Sequence, residues 1–248
     1  MDAIVLAGGS ADDSLAARYG VASKTLVPVR GRPMVEYTLE ALRATSQINR
    51  IIYVGPIPLR GLEPAPDVAI PDQGSMLGNL ESALTETRSR RVVVASGDNP
   101  FITPAAVRDL LERAPEVALV YPVIPREVVE ERWPGMRRTY ARLREGVFTG
   151  GNLILLDKSL FERALPLARR IVALRKKPLA LARTVGWGIL LKLLLGRLSI
   201  QDVERRAEQL LGVPMRALVT RYAEVGVDAD SEEDIRWFEG EAKRANGS

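Results

Sequence analysis

The chain has 248 residues, 46% of them apolar and 27% charged, which suits a well-buried α/β core and excludes a disordered polypeptide. It contains no cysteine and no histidine, which rules out disulfides, thiolate catalysis, cysteine metal sites, a Ser-His-Asp triad and the commonest zinc ligand. With a formal charge of +4, its chemistry must run through carboxylates, Lys, Arg, hydroxyls, backbone groups or a hard metal ion.

Asp2–Ala7 is a short apolar run ending at Gly8-Gly9 and predicts a buried strand. Ser10–Ser23 predicts a loop with a helical turn. Pro33 opens a helix to about Ala44, with Val35, Leu39 and Leu42 on one face. Strands follow at Arg50–Val54 and Val68–Ile70, separated by a Pro-rich loop, and then a helix over Met76–Thr87. Arg91–Ala95 predicts another buried strand, after which Thr103 caps a helix beginning at Pro104. Val117–Val123 predicts a strand, Thr139–Leu143 with Val147–Thr149 a hairpin, and Leu153–Leu156 a further strand. From Ser159 to about Leu211 the pattern is helical, with breaks expected at Pro166 and Pro178. Ala217–Val219 and Glu224–Val227 return to strand, and Ser231–Asp234 resembles a capping box that opens the last helix.

Strands alternating with helices imply a Rossmann-like α/β fold. Its sheet is expected to be mixed but mostly parallel, with helices on both faces. One domain over 1–248 is expected, with a helical insertion at about 157–212. Ligands on such sheets bind beyond the carboxyl ends of the strands, where Gly8-Gly9, Gly97-Asp98 and Val227-Asp228 all fall. No basic leader precedes the first apolar run, and no stretch of about 18 uncharged apolar residues occurs, so a cytoplasmic protein is expected.

Glycines after a strand let backbone N–H groups approach phosphate oxygens, and Lys24 on the following loop adds a point charge. A tight turn is the alternative for Gly8-Gly9. Asp98, after Gly97 at a strand end, is placed to hold a hard cation such as Mg²⁺; the alternative is an Asp that caps the turn before Pro100. Gly150, Gly151 and Asn152 are candidate acceptor-binding residues, with a β-bulge as the alternative. Arg137, Arg138 and Arg142 lie nearby in sequence, as acceptor-phosphate ligands or as surface residues.

The pattern Leu6-Ala7-Gly8-Gly9, Lys24, Pro28, Gly31, Pro33, together with Ser96-Gly97-Asp98-Asn99-Pro100, resembles the MobA-like nucleotidyltransferase family over about 2–156 and 217–240. The resemblance implies nucleotide binding by the Leu6–Gly9 loop, triphosphate contacts from Lys24 and Arg18, and base contacts from Gln73, Gly74 and Ser75. For Ser75, an ordinary helix N-cap is the alternative. The resemblance further implies Mg²⁺ bound by Asp98 and Asp228, with Asp230 as the substitute ligand. Catalysis would involve Lys24, Arg18 and Asp98. The expected activity is Mg²⁺-dependent transfer of a nucleoside monophosphate from a nucleoside triphosphate to a phosphorylated small molecule, releasing pyrophosphate. Where the family has Gly-x-Arg, this chain has Ser10–Ala17 and reaches Arg18 later. That departure keeps a non-catalytic, nucleotide-binding regulator open.

Residues 186–198 are apolar nearly all round, with basic residues before them. They fit a buried helix, a homodimer interface, or contact with an anionic membrane by an enzyme acting on a lipid-linked phosphate. Nucleic acid is not an expected partner, because the basic residues are not interleaved with aromatics.

Overall fold

The structure, a computed structural model, describes residues 1–9, 13–57, 61–174 and 186–245. In chain order the elements begin β1 (Asp2–Leu6), α1 (Ser14–Tyr19), a 3-10 turn (Lys24–Leu26), β2 (Pro28–Val29), β3 (Arg32–Pro33), α2 (Met34–Arg43), β4 (Arg50–Gly55), β5 (Val68–Pro71), α3 (Met76–Glu86), β6 (Arg91–Ser96) and α4 (Pro104–Arg113). They continue with β7 (Leu119–Pro125), α5 (Arg126–Arg132), β8 (Ala141–Leu143), β9 (Gly146–Gly150), β10 (Leu153–Asp157) and α6 (Lys158–Leu174). The last are α7 (Trp187–Leu194), α8 (Ile200–Leu211), β11 (Met215–Val219), a 3-10 turn (Ala223–Gly226) and α9 (Glu232–Ala245). The chain divides into two compact units, Met1–Asp109 with Val227–Ser248, and Leu110–Gly226.

In the first unit, β5, β4, β1 and β6 lie side by side in that order, all parallel. Successive strand residues face opposite sides of a sheet, and Ala3, Ile4 and Val5 are all fully buried. Both faces of β1 are therefore covered, as its unbroken apolar run requires. The register aligns Leu6 with Val54 and with Ser96, and Gly55 with Pro71. The carboxyl ends of all four strands therefore lie along one edge. Because the chain moves outward from β1 to β4 and β5 and then returns to β6, the winding direction reverses beside β1, the usual ligand position on such sheets.

Helix α9 docks through Phe238, which is fully buried and meets Phe101 edge-on with ring centres 5.0 Å apart. Trp237 adds a second edge contact to Phe238 at 5.8 Å. Phe238→Ala is expected to cost about 3–5 kcal/mol, measured by urea unfolding, because the cavity would open under a helix with few other anchors of that size.

In the second unit β7 is central. The parallel β11 runs its length from Leu119 to Val123. Antiparallel β10 and β9 pair with successive parts of β7, and since a strand has only two edges they share the edge opposite β11. Between them the register moves from Val123↔Gly150 to Val120↔Leu155, three residues on β7 against five on its partner. Gly150–Asn152 thus forms a bulge-like interruption of one bent partner strand.

Two expectations fail here. Glu224–Val227 is not a strand: Ala223–Gly226 forms a 3-10 turn, closed by the Val225 N–H bonding to the Tyr222 carbonyl. Its alternating Val225 and Val227 are buried by the turn instead of by a sheet face. Nor does Pro166 break a helix; it sits inside α6. The missing N–H costs a backbone bond, and the packing of α6 on β10 and α8 outweighs that loss. Pro178 lies outside the described residues. Helix α5 was not expected, since seven residues, mostly charged, after Pro125 leave little periodicity to read.

Candidate active site

Three loops leave the carboxyl edge of the first unit's sheet together. Gly8-Gly9 follows β1, Asp72 follows β5 and Gly97-Asp98 follows β6. A fourth strand of chain, Val227–Asp230, is held to them by the Ala229 N–H, which donates to the Asp98 carbonyl at 3.1 Å. That bond gathers residues far apart in sequence. One carboxylate oxygen each of Asp98, Asp228 and Asp230 lies within 4.8 Å of the others. Asp98 is buried, Asp228 half-buried and Asp230 exposed. The donors are all carboxylate oxygens at graded depth, a set that suits a hard divalent cation sharing its remaining positions with water and phosphate.

Lys24 stands among these carboxylates. Its Nζ lies 2.7 Å from Asp98 Oδ2 and 2.5 Å from Asp230 Oδ1. Burial alone would lower its pKa, but the charges and hydrogen bonds of Asp98 and Asp230 prevail and hold it well above the ordinary lysine value. It is therefore an ammonium at any physiological pH. Its position is set from below: Ser23 caps the 3-10 turn by accepting from the Thr25 N–H. The Ser23 and Thr25 hydroxyls both donate to the Ala7 carbonyl, at 2.9 and 3.1 Å. The end of β1 and the Lys24 turn are thereby pinned together. Asp98 is likewise fixed, since the Ser96 hydroxyl bonds its carboxylate and the Thr38 hydroxyl donates to the Ser96 and Asn99 carbonyls, at 3.1 and 3.3 Å.

The Gly8-Gly9 loop has a partner that sequence reading missed. The Asp72 carboxylate accepts from the Gly9 N–H at 2.9 Å, from the Gly74 N–H at 2.9 Å and from Asn79 Nδ2 at 2.9 Å. Burial pushes the Asp72 carboxyl up, yet the Gly9, Asn79 and Gly74 hydrogen bonds outweigh it and leave the carboxyl below its usual range. Asp72 is anionic at neutral pH, so the Gly9 N–H already holds one anionic oxygen. A side chain at Gly8 has no room, because its Cβ would fall 2.2 Å from Asn79 Nδ2 and 2.7 Å from Asp72. Gly8→Ala is expected to displace the Asp72–Asn79 pair and to cost about 1–3 kcal/mol of stability, measured by urea unfolding.

Other expected residues fall as follows. Leu6 ends β1, and Ala7 is buried with its N–H on the Val54 carbonyl at 2.8 Å. Arg18 is brought to the head of α9, where it pairs with Glu232 at 2.8 Å, and its side chain is 62% exposed. Ser75 caps α3 by accepting from the Gly78 N–H. Gln73 and Gly74 are exposed beside it, with Gln73 donating to the Pro71 carbonyl at 2.7 Å. Gly150 and Gly151, in the second unit, face Tyr121 and Val225: a Cβ would sit 2.3 Å from Tyr121 Oη at the first and 2.8 Å from Val225 Cγ1 at the second. Both glycines thus lie close against neighbouring side chains, and the Asn152 N–H bonds the Val225 carbonyl at 2.7 Å.

A glycine loop at a strand end, a fixed lysine and clustered carboxylates at the winding reversal of a parallel sheet mark the ligand position of an α/β fold. Residues 3–208 match the MobA-like NTP transferase domain, and the chain belongs to that family; it is an enzyme of the nucleotidyltransferase class. The match runs through the helical stretch that the motif resemblance had left out. A hypothetical transferase from Thermus thermophilus is 63% identical, with a TM-score of 0.88 over 94% of this chain and 98% of that one. The fold is shared with the 2-C-methyl-D-erythritol 4-phosphate cytidylyltransferase of Thermus thermophilus, at 16% identity and TM-score 0.60 over 98% and 100% of the chains. It is also shared with a CMP:2-keto-3-deoxy-manno-octonic acid synthetase complexed with CTP, at 13% identity and TM-score 0.62 over 99% and 100% of the chains. No match was found among curated proteins. Among the described residues, no helix is long and apolar enough to cross a membrane.

Proposed function

We propose that this enzyme transfers a nucleoside monophosphate from a nucleoside triphosphate to a phosphorylated small molecule, with Mg²⁺ held by Asp98 and Asp228 and with Asp230 available as a third ligand. The observation that carries this reading is the convergence of Asp98, Asp228, Asp230 and Lys24 beside Gly8-Gly9. In the transfer, an acceptor phosphate oxygen forms a bond to the α-phosphorus. The bond from that phosphorus to the α,β-bridging oxygen breaks, and the electron pair leaves with pyrophosphate. The attacking oxygen is already anionic at neutral pH, so no general base is needed and the absence of histidine is no obstacle.

Bound Mg²⁺ would neutralise charge on the triphosphate and favour pyrophosphate departure. The chain's own groups supply the rest. The Gly9 N–H exchanges its Asp72 carboxylate oxygen for a phosphate oxygen, and Lys24 exchanges its contact with Asp230 for one with the triphosphate. Asp98 stays fixed by the Ser96 and Thr38 hydroxyls throughout.

The test is a thermal-shift and pyrophosphate-release assay with ATP, GTP, CTP and UTP, with and without Mg²⁺, over a panel of phosphorylated acceptors. One nucleotide at about 100 times its Kd should add about 2.7 kcal/mol of stability, and only with Mg²⁺ present. One acceptor should then release pyrophosphate. If no nucleotide stabilises the protein in Mg²⁺, the reading fails.

A further inference from the structure

None of the residues of helix α7 is buried. Trp187 is 58% exposed, Leu191 59%, Leu194 84% and Leu195 58%. At 3.6 residues per turn these four positions fall within one arc of about 100°, so they form a single apolar stripe turned to solvent. Ile189 and Leu193 take the opposite side, Leu190 lies between them and the stripe, and all three are half-buried. Isolated exposed leucines are ordinary, but a continuous stripe of this kind marks a surface that something covers.

The charges around the stripe indicate what covers it. Lys192 lies on its rim, paired with Asp202 at 2.9 Å, and Arg197 lies just beyond the helix with its side chain exposed. Over residues 163–201 the sequence has nine Lys and Arg and no Asp or Glu. A second copy bound through this helix would bring two such basic stretches of sequence together, which like-charge repulsion opposes. An anionic lipid surface fits both features, taking the apolar stripe below the headgroups and the basic rim at the phosphates. Trp187, with its apolar ring and N–H donor, suits the headgroup boundary. The helix is only 8 residues long, about 12 Å at 1.5 Å per residue against a hydrocarbon core of about 30 Å, so it can lie in the interface but not cross it.

We propose that α7 docks the enzyme reversibly on anionic membranes, lying in the plane of the headgroups with Trp187, Leu191, Leu194 and Leu195 inserted. This goes beyond the nucleotide-transfer reading, and its test does not depend on turnover.

The experiment is sedimentation of the full chain with vesicles of 70% phosphatidylcholine and 30% phosphatidylserine, against pure phosphatidylcholine vesicles, at low and high salt. The protein should pellet with the anionic vesicles at low salt, at least tenfold more than with neutral ones, and be released by high salt. Trp187 fluorescence should shift to the blue on binding, and Trp187→Phe should remove that shift. Leu191→Glu with Leu194→Glu should lower pelleting at least tenfold; both positions are exposed, so an unchanged circular dichroism melt confirms an intact fold. No pelleting with anionic vesicles, or pelleting that the double variant leaves unchanged, overturns the proposal. A dimer that dissociates in the double variant, with no vesicle binding, assigns the stripe to a second copy and also overturns it.

Discussion

Asp98→Asn should lower turnover by about a thousandfold, on the order of 4 kcal/mol of transition-state stabilisation, while leaving the protein folded. The substitution keeps the side chain's shape and a carbonyl oxygen for the Ser96 hydroxyl, but removes the deepest anionic oxygen of the cluster. Asp228 and Asp230 remain, one half-buried and one exposed, and the exposed one is screened by water. A divalent ion held by those two alone would bind more weakly. Lys24 retains Asp230 as a partner, so the variant does not strand a buried ammonium. Steady-state pyrophosphate release, with urea unfolding as the control for folding, decides the matter. Turnover within threefold of the parent would remove Asp98 from the metal role.

Lys24→Met should act in two opposite directions. Turnover should fall by about a hundredfold to a thousandfold, the range for losing one preorganised donor to a developing charge. Divalent-ion binding without nucleotide should tighten, because the ammonium now spanning Asp98 and Asp230 competes for the same oxygens. Calorimetric titration with Mn²⁺ separates the two effects. A Lys24 that only stabilised the fold would weaken metal binding along with everything else. Since Lys24 is held well above its ordinary pKa by Asp98 and Asp230, its contribution to stability is complete below the ordinary lysine value. It is lost only as pH rises through the raised value. Neutral-range pH changes should therefore leave this pair intact.

Much of the first unit was legible in the sequence because its parallel strands are buried on both faces and read as unbroken apolar runs, as at Ile4-Val5 and Val92–Ala95. Gly8-Gly9 and Gly97-Asp98 were legible as strand-end loops for the same reason. The partner of Lys24 was not, because a pairing with Asp230 across 206 positions leaves no periodic trace. Asp72 was not singled out although it directly precedes Gln73, Gly74 and Ser75; the available signal was its place directly after a strand, in the position that Asp98 nearly occupies on β6. Ser23 and Thr25 flank Lys24 and read as ordinary loop hydroxyls, since only the folded chain brings the Ala7 carbonyl to them. In the second unit, Glu224–Val227 carried a strand's alternation and became a turn, and the Gly150–Asn152 interruption depended on a register that sequence alone does not fix.

If Asp98 and Asp228 hold the metal ion on which nucleotide binding depends, both carboxylates are needed for that binding. Counting Mn²⁺ sites by electron paramagnetic resonance, in the presence of the stabilising nucleotide, for the parent, Asp98→Asn and Asp228→Asn proteins decides this. Tight, nucleotide-dependent Mn²⁺ binding is expected in the parent, and its loss, at least about a hundredfold in affinity, in both variants. Equal Mn²⁺ stoichiometry and affinity in all three would contradict it.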